Sequence, residues 1–261
     1  MSTAFLTLSE PGARVVRALL PSFPDAHVFL HASVRADIPG AIRFERIAEA
    51  ASLIFSQVTG LVFVAPTGVV VRAIAPLIQH KLSDPAVVVL DVGARYAISL
   101  LSGHEGGANA LALQVANLLG AEPVLTTTSE AVKNLIVGIG CRRNAPASII
   151  VEAVRQALLK VNGRLESVRF LASIDLKRDE VGLLEAATQL GVPLRFIASQ
   201  DVRACHLDFE HSAFVEEKVA VPAVAEPVAL LAGRRTELLL PKTIINSVTV
   251  AIARENCSSL E

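Results

Sequence analysis

Short apolar runs rich in Val, Ile and Leu alternate along the chain with longer stretches whose apolar residues recur every three or four positions. That rhythm is the signature of strands joined by amphipathic helices. In the first half it predicts strands at 4–8, 27–30, 61–65, 87–91, 97–101 and 123–126, and helices at 13–20, 46–56, 69–78 and 108–119. Asp91, Val92, Gly93, Ala94 and Arg95 read as a tight reversal between two strands, because Asp and Gly supply the backbone angles such a turn needs. A second cycle begins near Asn134, with a strand at 135–139, a turn from Gly138 to Arg143 and a long helix at 147–161. That helix carries Ile149, Ile150, Ala153, Val154, Ala157, Leu158 and Val161 on one face. Strands at 168–172, 194–197, 237–240 and 248–252 and helices at 180–190 and 224–232 complete it. The pattern predicts an α/β protein of two α/β domains, 1–133 and 134–261, with mainly parallel sheets and a cleft between them. No long linker and no sequence repeat marks the boundary.

A chain of 261 residues suits two compact units. Hydrophobic residues make up 52% and mean hydropathy is +0.52, yet the richest stretch, 60–78, holds Pro66, Gly68, Arg72 and Pro76. Those breakers argue against a membrane span. The net charge of -1 and the aromatic content of 4%, without Trp, argue against nucleic acid as a partner. Cys141, Cys205 and Cys257 lie far apart with no CxxC spacing, which fits a reducing compartment and no zinc cage. With no export signal visible at the N-terminus, a cytoplasmic chain is expected.

The most informative segment is Leu100-Leu-Ser-Gly-His-Glu-Gly-Gly-Ala-Asn109, which leaves a strand and opens a helix. Gly103, Gly106 and Gly107 let backbone approach a ligand while N–H groups and the helix dipole face an anion. The Lys and Ser/Thr of a P-loop are missing and the glycines do not fit GxGxxG, so a nucleotide phosphate is not the favoured guest. His104 is suited to moving protons near neutral pH. A lone loop histidine is more often bonded to a carbonyl, but beside Ser102, Glu105 and Asn109 the functional reading is preferred. Upstream, Thr67 and Gly68 follow a strand, with Arg72, Lys81 and Asp84 beyond; these cations suit carboxylates, or equally are solvated helix charges. Thr126, Thr127 and Thr128 either offer hydroxyls to the same crevice or simply end a strand.

In the second half, Gly138-Ile-Gly-Cys-Arg-Arg143 is another strand-to-helix turn. Cys141 as a nucleophile is the weaker reading, because no histidine is placed beside it. Gly140, Arg142 and Arg143 meet anionic ligand groups or neighbouring carboxylates. Asp175, Lys177 and Glu180 precede a helix, where capping and ion pairing compete with ligand binding. Ser212 to Val215 and Ala225-Glu-Pro227 fall in the same region. His206, Asp208 and His211 read as a polar loop rather than a metal triad, and His27 and His31 as strand-edge residues.

Taken together the segments resemble the CbiG family of cobalamin biosynthesis, the cobalt-precorrin-5A hydrolases. The likeness runs through RAIAPLIQHKLSDPAVVVLD and ISLLSGHEGGAN, then VGIGCRR, ASIDLKRDEVGLLEAA, SAFV, VAEPVALLA and TVAIA. It implies an enzyme of the anaerobic pathway that opens the ring A δ-lactone of a cobalt-containing macrocycle and releases acetaldehyde, giving cobalt-precorrin-5B. Three departures stand out: Val92 replaces the acidic residue that commonly follows the Asp of the family's turn, a middle segment is missing after Thr128, and glycines common before VAE are replaced around Ala220 to Ala223. The C-terminal half by itself resembles the CobE proteins. The resemblance and the residues together assign His104 as general base, with Glu105 and Asn109 also catalytic. They assign Thr67, Gly68, Arg72, Lys81, Ser102, Gly103, Gly106, Gly107, Gly140, Arg142, Arg143 and Lys177 to substrate binding, with the amides of Gly106 and Gly107 receiving developing charge. No cofactor and no protein-bound metal are expected, since the cobalt belongs to the corrinoid substrate; a homodimer or contacts with pathway enzymes are compatible. The alternative is a non-catalytic corrinoid carrier or assembly partner, which needs the same anion-receptive loops and no proton-transfer residue.

Overall fold

The computed structural model describes residues 2–205 and 224–256. Its internal contacts divide the chain after Thr127 into two units. The first is built on a seven-stranded sheet of β1 (Thr3–Thr7), β2 (His27–His31), β3 (Ile42–Phe44), β4 (Gly60–Val64), β5 (Ala86–Leu90), β6 (Tyr96–Leu101) and β7 (Glu122–Val124), in the order β3-β2-β1-β4-β5-β6-β7. Strands β1 to β5 are parallel, β6 runs antiparallel to β5, and β7 is parallel to β6. β1, β4 and β5 are buried along their whole length, as strands covered on both faces must be. Their covers are α1 (Glu10–Leu19), α2 (Ile47–Ile54), α3 (Thr67–Ile74) and α4 (Ala108–Leu119). Phe5, Phe29 and Phe63 are sealed in the core, each burial contributing about 1.5–3 kcal/mol before chain entropy is subtracted.

The boundaries differ from the pattern where local chemistry intervenes. α1 starts three residues before its predicted position, because the Ser9 hydroxyl accepts the Gly12 amide and Pro11 suits the first turn. The helix predicted over 69–78 stops at Ile74, followed by a single tight turn over Ala75–Leu77, since Pro76 cannot donate to a continuing helix. β3 is not visible in the pattern: it is a three-residue edge strand with only Phe44 buried. Pro123 is accommodated because β7 is an edge.

The second unit carries a five-stranded sheet, β10-β9-β8-β12-β11. Its strands are β8 (Leu135–Gly140), β9 (Val168–Ile174), β10 (Leu194–Ile197), β11 (Thr236–Ile245) and β12 (Val248–Glu255). β8, β9 and β10 are parallel, while β12 runs antiparallel to both β8 and β11. Asn246 and Ser247 both take left-handed backbone angles in the two-residue hairpin between β11 and β12, the geometry such a turn demands. The helices described are α5 (Thr128–Ala131), α6 (Ala147–Lys160), α7 (Val181–Leu190), α8 (Ser199–Ala204) and α9 (Ala225–Leu231). α9 lies so close to β8 that a Cβ on Gly138 would sit 1.9 Å from the Ala225 carbonyl oxygen. The first glycine of the Gly-Ile-Gly turn is therefore explained by packing. The α/β character and the predominance of parallel strand pairs hold in both units taken together, although the second sheet is evenly mixed. Ser212 to Val215, Ala220 to Ala223, His206, Asp208, His211 and Cys257 lie outside the described residues.

Candidate functional site

The direction of β6 decides which candidate residues of the first unit meet. Leu101 pairs with Val87 near the amino end of β5, whereas Val64 pairs with Leu90 at its carboxyl end. The glycine-rich loop after β6 and the Thr67 turn after β4 therefore leave opposite ends of the strands, about 10 Å apart at some 3.3 Å per residue. Thr67, Gly68 and Arg72 do not join His104. The Arg72 guanidinium instead donates back to the Gly68 carbonyl at 3.2 Å, within its own helix. Asp91 also belongs to that far end. Burial would raise its carboxyl, but amide donors from Tyr96, Arg95 and Gly93 and the Arg95 side chain outweigh burial and hold it below its ordinary value. Asp91 thus ties the reversal between β5 and β6, a role that needs no acidic neighbour at Val92.

At the near end of the strands the loop is held from both sides. The Ala108 amide donates to the Ser102 carbonyl at 3.1 Å and the Asn109 amide to the Gly103 carbonyl at 2.9 Å. Gly107, with φ of +87°, turns the chain into α4. Ser102 also takes a left-handed φ, +58°, though it is not glycine, and a Cβ on Gly106 would lie 2.3 Å from the Ser102 Cβ. No backbone carbonyl among the described residues takes the amides of Gly106 or Gly107, which stand at the positive end of a twelve-residue helix. His104 and Glu105 are exposed on the outer side of the loop.

Lys81 arrives from the segment before β5 and pairs with Glu105, Nζ to Oε1, at 2.7 Å. That hydrogen bond is the main reason the Glu105 carboxyl lies below its ordinary value, with the charge of His104 a smaller contribution. Lys81 and Glu105, placed by sequence in separate roles, therefore occupy one another; as an exposed pair they contribute little to stability. Asp84 accepts the Gln79 amide and shapes the same segment. Of the three threonines, Thr127 joins the loop, its hydroxyl taking the Asn109 carboxamide at 2.9 Å. Thr126 and Thr128 are exposed. Ser99 was given no role in the sequence analysis, yet its hydroxyl lies beneath Gly103. The one available signal is a polar residue on the β6 face otherwise given to Ala97 and Leu101.

In the second unit the carboxyl ends of β8, β9 and β10 bring together three segments, Gly140 to Asn144, Asp175 to Glu180 and Ser199. Lys177 reaches Glu180 at 3.2 Å and Glu180 accepts the Asn144 amide at 2.6 Å, with both side chains largely buried. Arg143 pairs with Asp179 at 2.9 Å on the surface, which raises the guanidinium and lowers the carboxyl. The Ser199 hydroxyl bonds to Asp175. The carboxylate partners thus take up Lys177 and Arg143, while Arg142 is exposed with no partner among the described residues. Gly140 has only ordinary contacts with Thr249 and Val224. Burial pushes the Cys141 thiol up, with Lys177 pulling it down less strongly, the reverse of what a nucleophilic thiolate needs. Cys141→Ser should leave activity within about twofold, and the native thiol should alkylate more slowly with iodoacetamide at pH 8 than an exposed cysteine does. Fast alkylation with loss of activity would contradict this. Among the described residues, no group of three His, Cys, Asp or Glu side chains could hold a metal ion, and no helix is long and apolar enough to cross a membrane.

Residues 49–130 match the family described as Cobalamin synthesis G N-terminal, and residues 135–253 match Cobalamin synthesis G C-terminus. The chain belongs to the CbiG family. It is 26% identical to the cobalt-precorrin-5A hydrolase of Salmonella typhimurium over 88% of its own length and 91% of that protein's. Against the cobalt-precorrin-5A hydrolase of Priestia megaterium it is 25% identical, covering 77% and 79% respectively. Protein CobE from a Sinorhizobium species is 31% identical over 48% of this chain and 83% of its own. In CbiG terms the N-terminal match contains the whole glycine loop with Lys81 and Thr127, and the C-terminal match contains the Gly140 to Glu180 edge.

Proposed function

We propose that this chain is a cobalt-precorrin-5A hydrolase that opens the ring A δ-lactone of its cobalt macrocycle and releases acetaldehyde to give cobalt-precorrin-5B. The observation that carries the reading is that both CbiG halves are present in one chain, aligned over most of the length of relatives bearing that name. The first unit adds a loop whose chemistry suits ester opening, with an exposed imidazole and, two and three residues on, two amides at a helix N-terminus that no backbone carbonyl among the described residues takes.

In this reading His104 takes a proton from water as the water oxygen attacks the lactone carbonyl, and the amides of Gly106 and Gly107 receive the charge that develops on the carbonyl oxygen. The ester C–O bond breaks, leaving a carboxylate and an alcohol. The alcohol then loses its proton, its carbon–carbon bond to the ring breaks, and acetaldehyde departs as the electron pair enters the conjugated macrocycle. The cobalt is part of the substrate. Glu105 holds Lys81 against the loop, and in the second unit the exposed Arg142 is the cation we assign to a carboxylate arm of the polyacidic ring. Incubating the purified chain with the cobalt macrocycle and trapping acetaldehyde as its hydrazone tests the assignment. Stoichiometric acetaldehyde is expected; tight binding without any acetaldehyde would favour a carrier instead.

A further inference from the structure

The underside of the glycine loop holds polar atoms that the fold leaves unused. Ser99 and Ser102 are each 8% exposed, and neither hydroxyl has a hydrogen-bond partner; the Oδ1 atom of Asn109 is likewise buried and unpartnered. They gather against the inner face of the loop. A Cβ built on Gly103 would lie 3.1 Å from Asn109 Oδ1, 3.5 Å from Ser99 Oγ and 2.7 Å from the Thr127 methyl, and one on Gly106 would lie 3.3 Å from Ser102 Oγ. Native interiors rarely leave one such group orphaned, and here three lie where β6, the loop and the start of α4 meet, with Ser102 also holding a left-handed backbone angle. Strained backbone and buried polar groups that the protein leaves unmet cluster at active sites and ligand clamps.

We propose that Ser99, with Ser102 and Asn109, forms a neutral hydrogen-bonding floor that receives an oxygen acceptor of the substrate, an ester carbonyl or carboxylate, when the Gly103 to Gly106 backbone shifts aside. The inference rests on the reaction assigned above and adds to it a residue, Ser99, that neither the glycine pattern nor the imidazole pointed to. The chemistry of the floor selects the ligand class. Two hydroxyls donate, and the Asn109 carboxamide can present its NH2 instead of its oxygen by a half-turn, because the Thr127 hydroxyl donates as readily as it accepts. Among the described residues no group of three His, Cys, Asp or Glu side chains could hold a metal ion, and the amino end of α4 favours negative charge.

The test is Ser99→Ala against wild type and Ser99→Thr, read by thermal midpoint, macrocycle affinity from absorbance titration, and acetaldehyde release. Removing a buried hydroxyl that has no partner leaves the midpoint unchanged or raises it. The expected result for Ser99→Ala is that unchanged midpoint together with at least a fivefold loss of affinity and a loss of about ten- to a thousand-fold in kcat/KM. Ser99→Thr, which keeps the hydroxyl, should recover most of both. Wild-type affinity and kcat/KM in Ser99→Ala would overturn the proposal, as would a clearly lowered midpoint, which would reveal an internal partner for the hydroxyl. Should the wild type release no acetaldehyde while its affinity still depends on Ser99, the floor stands and the assigned reaction falls.

Discussion

Replacing His104 by Ala is expected to lower acetaldehyde release by about a hundred- to ten-thousand-fold, the usual range for losing a general base. The unfolding midpoint should stay where it is. The side chain is exposed, none of the hydrogen bonds that shape the loop passes through it, and the Ser102 and Gly103 carbonyls that anchor the loop to α4 belong to the backbone. Exposed substitutions away from such anchors usually change stability by no more than about 0.5 kcal/mol. A stopped assay with trapped acetaldehyde, run beside a thermal melt, separates the two effects. Release within threefold of wild type would remove His104 from the mechanism and return attention to water held by the loop amides alone.

Glu180→Ala should be strongly destabilising, costing about 3–5 kcal/mol, because it strands a buried cation. Glu180 is the joint between two strand ends: one carboxylate oxygen takes the Asn144 amide and the other the Lys177 ammonium. The side chains of Glu180 and Lys177 are 2% and 13% exposed, so water cannot readily replace the lost partner. Chemical denaturation of the variant should show a lowered midpoint with little change in slope. Pairing Glu180→Leu with Lys177→Met should recover much of the loss, since a buried ion pair exchanged for packed apolar groups is often neutral. A single variant as stable as wild type would mean that the pair is looser than the structure shows. Lys81 and Glu105 make the contrast: a shorter contact, 2.7 Å, but an exposed one, from which little stability is expected.

Much of the architecture was legible because it is encoded locally. The buried strands β1, β4 and β5 are unbroken apolar runs, α4 lies at the positions its apolar spacing predicted, and three glycines within five positions announced the loop that enters it. What local pattern conveys poorly is strand direction. A run of Val, Ile and Leu looks alike whichever way it travels, and grouping Thr67, Gly68 and Arg72 with His104 treated every loop as leaving one end of the strands. The corrective signal was present in Asp91 to Arg95, five residues, too short for the crossover that a parallel neighbour requires. β6 therefore had to turn back, carrying His104 to the other end.

By itself the sequence determined the α/β class, the CbiG membership, the glycine loop and the position of its histidine, since each depends on residue type and spacing along a short stretch. Only the tertiary structure decided which charges remain available. Glu105 closes on Lys81, Asp179 on Arg143 and Glu180 on Lys177, pairings made between segments that the fold, not the chain, brings within reach. The same holds for Ser99, an ordinary strand residue until the turn of β6 into α4 places Gly103 over its hydroxyl and leaves that hydroxyl without a partner.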